Sequence, residues 1–267
     1  MKLAVIGGYG RMGRRIIELC LLEKDIQIVC AVEKEKSPVL GKKIRECFFL
    51  ADNNHGNFTE KLTGEIDVVI DFSSPVSTMT HLREAFEKNI SYVIGTTGFS
   101  PMEEEKIREY SQRIAILKSP NMSIGVNLLF KLAKKVASVL GKRGYDMEIV
   151  EIHHNKKKDS PSGTAKKLLQ LLAEGSNLKI EDAVYGREGN TGERKSNEIG
   201  VMALRAGDIV GEHTVYFAGN NERIEIAHRA HSRDTFARGA IAAARFLYKK
   251  EPGLYDMQDV LGLKDID

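Results

Sequence analysis

The stretch KLAVIGGYGRMG, residues 2–13, decides the fold of this chain. Its first five residues, KLAVI, are mostly apolar, which is typical of a buried parallel strand, and glycines follow at once. Gly8, Gly10 and Gly13 have the spacing GxGxxG, which permits a tight turn from a strand into a helix and close approach to a pyrophosphate. The pattern predicts the opening of a dinucleotide-binding fold.

An acidic residue supports this interpretation. Glu33 lies about 20 residues after the glycine turn, at the end of a second apolar run (26–32), where a ribose-binding acid belongs. A carboxylate favours NAD, whereas the neighbouring Lys34, or Arg11, would attract the 2′-phosphate of NADP, so both cofactors stay open. The predicted cofactor contacts in this part of the chain are Gly7, Gly8, Tyr9, Gly10, Arg11, Met12, Glu33 and Lys34.

Further apolar runs alternate with helical patterns up to about residue 120. The runs are residues 67–72, 92–98 and 114–119, and helices are predicted after Pro75 and Pro101. This alternation predicts a Rossmann-type doubly wound parallel sheet. Ligands bind such sheets at the carboxyl ends of the strands. The polar residues that follow the last two runs are therefore further predicted cofactor contacts: Gly95, Thr96, Thr97, Ser119, Pro120, Asn121 and Met122.

The pattern changes after Pro120. A long amphipathic helix is predicted over residues 124–140, and strand-like runs follow with few helices between them, which predicts a second α+β domain built on a mixed sheet. The helical segment from Phe236 can complete the first domain. We predict a dinucleotide-binding domain (1–123, completed by 234–267) and a domain for substrate binding and oligomerisation (124–233).

The segment EIHHNKKKDSPSGTA, residues 151–165, concentrates the chemistry. His153 and His154 precede three lysines, and Ser162, Gly163 and Thr164 are typical of a helix N-terminus, where hydroxyl and N–H groups bind carboxylates or phosphates. Within a strand the two histidines would point to opposite faces, unless the strand has already ended. The loop predicts proton transfer beside a small anionic substrate.

Composition and residue spacing argue against several other classes of protein. Two adjacent histidines suit half of a metal site, but no neighbouring ligand spacing completes it, so we predict no metal. A net charge of +3 does not indicate nucleic-acid binding, and no segment approaches the roughly 20 apolar residues of a membrane span. The three cysteines show no metal or redox spacing, which favours a reduced, cytoplasmic protein.

Five motifs together resemble the 4-hydroxy-tetrahydrodipicolinate reductase (dihydrodipicolinate reductase) family. They are the glycine turn, GTTGF (95–99), SPNMSIGVN (119–127), HHNKKKDSPSGTA (153–165) and RAGDIVGEH (205–213). The resemblance implies an NADH- or NADPH-dependent reduction of a small cyclic dicarboxylate in lysine and diaminopimelate biosynthesis. It also implies a homotetramer built through the sheet of the second domain.

The resemblance implies roles for individual residues. His153 would be the proton donor and acceptor and Lys157 a proton donor, while His154 would bind substrate. Gly163 and Thr164 would hold a substrate carboxylate, and the predicted helix N-terminus adds Ser162 to the expected substrate contacts.

Two alternatives remain at this stage. One is another NAD(P)-dependent dehydrogenase of an amino-acid pathway, although no cysteine lies in the second predicted domain to act as the nucleophile of a phosphorylating aldehyde dehydrogenase. The other is a protein that senses NAD(H) without turnover, which would need no His-His-Lys loop beside an anion site.

Overall fold

The structure is a computed structural model that describes residues 1–48 and 55–264. The chain forms two compact units. The first consists of residues 1–124 and a C-terminal segment that begins at Arg233, and the second of residues 125–232. Within the described ranges, no helix is long and apolar enough to cross a membrane.

The elements are numbered along the chain. The strands are β1 (Lys2–Ile6), β2 (Gln27–Val32), β3 (Asn57–Thr59), β4 (Val68–Asp71), β5 (Ser91–Ile94), β6 (Ala115–Lys118), β7 (Asp146–His153), β8 (Ala183–Val184), β9 (Ile199–Arg205), β10 (Gly211–Gly219), β11 (Glu222–Ala230) and β12 (Gly253–Tyr255). The helices are α1 (Arg11–Cys20), α2 (Ile44–Cys47), α3 (Pro75–Glu87), α4 (Pro101–Ser111), α5 (Ile124–Leu140), α6 (Gly163–Ser176), α7 (Asp234–Leu247) and α8 (Met257–Val260).

The first unit contains a parallel sheet of seven strands in the order β3-β2-β1-β4-β5-β6-β12. The chain winds outward in one direction through β2 and β3 and in the other through β4, β5 and β6, which is the Rossmann order. The predicted doubly wound parallel sheet is confirmed. The switch point between β1 and β4 places the glycine turn at the centre of the sheet edge where ligands bind.

Two apolar clusters cover the two faces of this sheet. Alternate residues of β1 enter different clusters: Leu3 packs with residues of α1 and α7, whereas Ala4 packs with residues of α3 and α4. Because both faces are covered, the strands are apolar on both sides, as expected of a buried parallel sheet. Gly239 of α7 allows a close approach, since a Cβ there would lie 1.7 Å from the carbonyl oxygen of Met122.

The second unit contains a five-stranded sheet in the order β11-β10-β7-β9-β8. The pairs β10–β11 and β10–β7 are antiparallel, and β7–β9 and β8–β9 are parallel, so the predicted mixed sheet is confirmed. Apolar residues of α5 and α6 pack with Met147 and Ile149 on one face of β7. Strict alternation of burial along β7 puts Glu151 and His153 on that same buried face.

Candidate active site

The glycine turn of the first unit is built by close backbone contacts. Gly7 has a φ of +67°, and its N–H donates to the carbonyl of Val32 at 2.9 Å. A Cβ on Gly13 would lie 2.1 Å from the carbonyl oxygen of Gly7, so glycine is needed for α1 to begin this near the strand. Helix α1 begins at Arg11 after Gly10, and the N–H groups of a first helical turn suit an anionic group.

Glu33 lies beside this turn. Its Oε1 accepts a hydrogen bond from the backbone N–H of Tyr9 at 2.8 Å, which fixes the carboxylate against the glycine loop. The guanidinium of Arg14 lies over the Tyr9 ring, 3.9 Å from the ring centroid. Lys34 and Arg11 are exposed, and Met12 is half-buried.

A cavity of about 490 Å³ opens at this edge of the first unit. Gly7, Glu33 and Lys34 line it together with residues that were not predicted from the sequence, among them Ser73, Ser74, Ser77, Thr80 and His81. A signal for the missed group existed in the sequence. Residues 73 and 74 follow β4, and β4 pairs with β1, so the sheet-edge argument applied to β5 and β6 holds equally for β4.

A buried polar network lies at the ends of β4 and β5. The carboxylate of Asp71, which is 0% exposed, accepts hydrogen bonds from the Tyr92 hydroxyl and from the Ser73 N–H, both at 2.8 Å. The Thr96 hydroxyl accepts a hydrogen bond from Thr78 at 3.0 Å and lies 3.5 Å from Asp71. These hydrogen bonds therefore fix the buried side of the loop that carries the predicted contacts Gly95, Thr96 and Thr97. Thr97 itself is exposed.

The predicted contacts after β6 differ in accessibility. The Ser119 hydroxyl donates to the carbonyl of Asn121 at 2.8 Å, and Asn121 Oδ1 accepts from the N–H of Ser123 at 2.9 Å. Pro120 is exposed, whereas Met122 is 1% exposed and packs in the core. A ligand can therefore reach Met122 only through its backbone.

In the second unit, β7 ends at His153, so strand alternation does not determine the direction of His154. His153 Nδ1 lies 2.5 Å from Oε2 of Glu151, which is 0% exposed. Arg205, opposite His153 on the parallel strand β9, donates two hydrogen bonds to the same carboxylate at 2.8 and 2.9 Å. Glu151 and Arg205 were not among the predicted site residues, although a charged residue at a buried position of an alternating strand is a visible signal.

The electrostatics of this cluster favour a neutral histidine beside an ionised glutamate. Burial raises the pKa of Glu151, but hydrogen bonds from Arg205, His153 and the N–H of Ser162 outweigh it and hold that pKa below its usual value. Burial lowers the pKa of His153, although Glu151 opposes this shift. Burial also lowers the pKa of His213 to about 3.

The lysines of the loop are not equivalent. Lys157 is partly buried and its Nζ lies 3.0 Å from Oδ1 of Asp159, whereas Lys156 and Lys158 are exposed. The N–H of Lys157 donates to the carbonyl of His154 at 3.1 Å. His154 has a buried Nδ1 without a hydrogen-bond partner among the described residues.

Helix α6 begins at Gly163, two residues before the start of the apolar helical pattern at Ala165. Ser162 is its N-cap, and the Ser162 hydroxyl accepts from the N–H of Ala165 at 3.1 Å. The same hydroxyl lies 3.0 Å from Nε2 of His213 on β10. A Cβ on Gly163 would meet no atom within 4 Å, so the space at this N-terminus is open.

These positions define what each unit can do chemically. The first unit offers a glycine turn at a helix N-terminus beside a carboxylate, which suits a dinucleotide. The second offers a histidine, a lysine and a helix N-terminus in one loop, which suits proton transfer to an anionic substrate. Within residues 1–48 and 55–264, no group of three or more His, Cys, Asp or Glu residues is arranged to hold a metal ion.

Comparison with known proteins gives consistent matches along the chain. Residues 1–122 match the family model "Dihydrodipicolinate reductase, N-terminus", and residues 125–261 match "Dihydrodipicolinate reductase, C-terminus". A 4-hydroxy-tetrahydrodipicolinate reductase from Syntrophus aciditrophicus is 49% identical over 269 residues, with 99% of each chain covered. One from Aquifex aeolicus is 49% identical over 271 residues, covering 98% of this chain and 99% of its own.

A solved structure shares the fold. The dipicolinate-bound dihydrodipicolinate reductase from Paenisporosarcina sp. TG-14 superimposes with a TM-score of 0.77 at 22% sequence identity. The match covers 97% of this chain and 98% of the other.

Proposed function

The chain belongs to the dihydrodipicolinate reductase family, and from this premise we propose how its residues carry out the reaction. It is an NAD(P)H-dependent oxidoreductase that reduces 4-hydroxy-tetrahydrodipicolinate, through dihydrodipicolinate, to tetrahydrodipicolinate in lysine and diaminopimelate biosynthesis. Relatives at 49% identity carry this name over nearly their whole length, so neither another dehydrogenase nor a non-catalytic NAD(H) sensor is favoured.

One observation carries the assignment of roles in the second unit, our substrate-binding domain. His153, Lys157 and the start of α6 follow one another within a short loop, and a single buried carboxylate, Glu151, bonds both to His153 and to the N–H of Ser162. A proton donor and an anion-binding helix start are thus held by one group. We assign the acid–base role to His153 and substrate binding to His154, Ser162, Gly163 and Thr164.

The proton step follows from the charges. Hydride addition to the conjugated ring leaves an enamine anion that must gain a proton at carbon, and His153 supplies it. Burial lowers the pKa of His153 in the free protein. The two carboxylates of a bound substrate would raise that pKa again, because nearby negative charge favours the protonated form. Proton donation is therefore coupled to substrate binding.

Lys157 supplies the positive charge for a substrate carboxylate. In the structure its ammonium group pairs with Asp159 at 3.0 Å, and a substrate carboxylate would compete for the same group. Lys157 would also act as a proton donor if its ammonium group lay beside the reacting ring of the bound substrate. Lys156 and Lys158 are exposed and contribute to the electrostatic attraction of the dicarboxylate.

The first unit, our dinucleotide-binding domain, fits the cofactor. A Cβ on Gly13 would fill the space that the turn needs, and the cavity at this edge is lined by Gly7, Glu33 and Lys34. When bound, NAD(P)H supplies the hydride. We propose that Glu33 and Lys34 hold the adenosine ribose end, Gly8 to Met12 hold the pyrophosphate, and the loops at 95–97 and 119–122 hold the nicotinamide end. Use of both NADH and NADPH follows from the opposed charges of residues 33 and 34.

The enzyme is proposed to be a cytoplasmic homotetramer without membrane or nucleic-acid partners. The face of the second sheet that points away from α5 and α6 carries apolar residues, among them Val150, Ile152 and Leu204, and Leu204 is 46% exposed. Such a face is suited to pack on another copy of the same sheet. Analytical ultracentrifugation of the wild type and of a Leu204→Glu variant tests this, and a monomeric wild type would refute it.

The activity is tested by a coupled assay. Substrate is generated from pyruvate and aspartate semialdehyde by a synthase, and oxidation of NADH or of NADPH is followed by absorbance. We expect oxidation that requires both protein and substrate. Glu33→Ala should shift the preference toward NADPH, and Lys34→Ala toward NADH. Cofactor binding without oxidation of either cofactor would contradict the proposed function.

A further inference from the structure

In the candidate site of the second unit, Glu151 is a buried charged group whose two carboxylate oxygens both have hydrogen-bond partners. Its Oε1 accepts from Arg205 at 2.8 Å and from the N–H of Ser162 at 3.0 Å. Its Oε2 accepts from Arg205 at 2.9 Å and lies 2.5 Å from His153 Nδ1. A carboxylate that is 0% exposed is stable only with such a set of partners, and here every partner belongs to the second unit.

This arrangement determines the tautomer of His153. An ionised carboxylate can only accept hydrogen bonds, so Nδ1 of His153 must carry a proton. Neutral His153 is therefore the Nδ1–H tautomer, and protonation adds a proton at Nε2. Arg205 occupies both oxygens of Glu151, which prevents the carboxylate from rotating away from the histidine.

The opposite edge of the imidazole is kept clear by a glycine. A Cβ built on Gly211, the first residue of β10, would lie 3.0 Å from His153 Nε2, tighter than about nine in ten real Cβ contacts. Any other residue at this position would crowd the nitrogen that exchanges the proton. Glu151 and Gly211 thus act on opposite edges of the same ring.

We infer that Glu151 and Arg205 are positioning residues that hold His153 as the Nδ1–H tautomer and aim Nε2 at the substrate. The inference deepens the proposed function and rests on it. In the step, the Nε2–H bond of protonated His153 breaks and a C–H bond forms at the carbon of the enamine anion that hydride addition leaves, so that the ring becomes a neutral imine. His153 is left neutral with its Nδ1–H on Glu151, and Glu151 stays ionised throughout.

Glu151→Gln is the test variant, because glutamine keeps the size of the side chain. Its oxygen can still accept from Ser162 or Arg205, but its NH₂ group would face His153 Nδ1 and force the Nε2–H tautomer. Glu148→Gln is the matched control. Glu148 lies on the opposite face of the same strand, where it also pairs with arginines, Arg187 and Arg194.

We expect Glu151→Gln to lower kcat about 10- to 100-fold, with a smaller change in the KM for substrate. The alkaline limb of the pH profile should move to lower pH by about one unit, because Glu151 raises the pKa of His153. The other charged or titratable groups facing His153 are Arg205 on β9, His213 on β10 and Lys157 in the loop, and these are unchanged. Glu148→Gln should leave both kcat and the alkaline limb of the pH profile unchanged.

A spectroscopic measurement keeps the inference testable even if Glu151→Gln does not fold. Two-bond ¹H–¹⁵N correlations of the labelled wild type, assigned with a His153→Gln variant, should show His153 as the Nδ1–H tautomer when neutral. An Nε2–H tautomer, or unchanged kcat and pH limb in a folded Glu151→Gln variant, would overturn the inference. A wild type without turnover would instead refute the proposed function, since the tautomer is measured without substrate.

Discussion

Each unit of the chain has a fully buried carboxylate at or near the end of a central strand, and the two are bonded differently. Asp71 in the first unit accepts from the hydroxyl of Tyr92 and the N–H of Ser73. Glu151 in the second accepts from the guanidinium of Arg205 and from His153. Both side chains are 0% exposed, so the difference lies in their partners and not in their burial.

The partners determine what each carboxylate can do. Asp71 is bonded to groups that do not titrate near neutral pH, and burial raises the pKa of Tyr92 further, so this network only fixes the shape of a loop. Glu151 is bonded to a histidine, so its charge acts on a group that can exchange a proton. We therefore expect the buried carboxylate to support cofactor binding in the first unit and acid–base chemistry in the second.

The largest expected effect tests the role of Glu151 and its partner His153 in the second unit. His153→Gln should lower kcat about 100- to 10,000-fold, the usual contribution of a general acid or base. NADH affinity should be unchanged, because the proposed cofactor contacts lie in the first unit. Stopped-flow turnover and fluorescence titration with NADH measure the two quantities. A parallel loss of NADH affinity would contradict the separation of roles.

Asp71→Asn tests the role of the buried carboxylate in the first unit. An asparagine has one acceptor oxygen where Asp71 has two, so either Tyr92 or Ser73 loses its partner, at about 1–3 kcal/mol of unfolding free energy. We expect a lower midpoint of chemical denaturation and weaker cofactor binding, since Ser73 lines the cavity. The pH limb of turnover should stay in place. A shifted limb would mean that Asp71 also acts on the proton step.

The sequence predicts the first unit better than the second for a physical reason. The parallel strands and the glycine turn are local patterns, and β1, β2, β4, β5 and β6 occur where apolar runs predict them. Long-range pairing decides the rest. His153 lies opposite Arg205, and Glu151 opposite His213, only through the register of β7 with β9 and β10. The motif RAGDIVGEH contains both partners, but nothing in its spacing reveals that they meet Glu151.

The loop lysines give a smaller and sharper comparison within one segment. Lys157 is partly buried and paired with Asp159, whereas Lys158 is exposed. We expect Lys157→Ala to raise the KM for the dicarboxylate about 10-fold or more, the value of one charge-assisted hydrogen bond. Lys158→Ala should change it less than about 3-fold, as expected of a screened surface charge. Equal effects in steady-state kinetics would mean that the loop acts only through its total charge.

The smallest effect concerns stability and pH in the second unit. Burial lowers the pKa of His213 to about 3 from an ordinary value of 6.5. Between these values the unfolded chain binds a proton that the native state does not, so this histidine removes stability as the pH falls below 6.5. In His213→Gln the glutamine amide can still bond to the Ser162 hydroxyl. When the pH falls from 6 to 5, the unfolding free energy of this variant should decrease by about 1 kcal/mol less than that of the wild type.

The matched control is His231→Gln, which removes an exposed histidine. Urea denaturation at a series of pH values measures the slope. If His213→Gln leaves the slope unchanged while the variant stays folded, then His213 takes up a proton in the native state. The cluster around Glu151 would then hold two titrating histidines, and the proton that reaches the substrate could not be assigned to His153 from the pH profile alone.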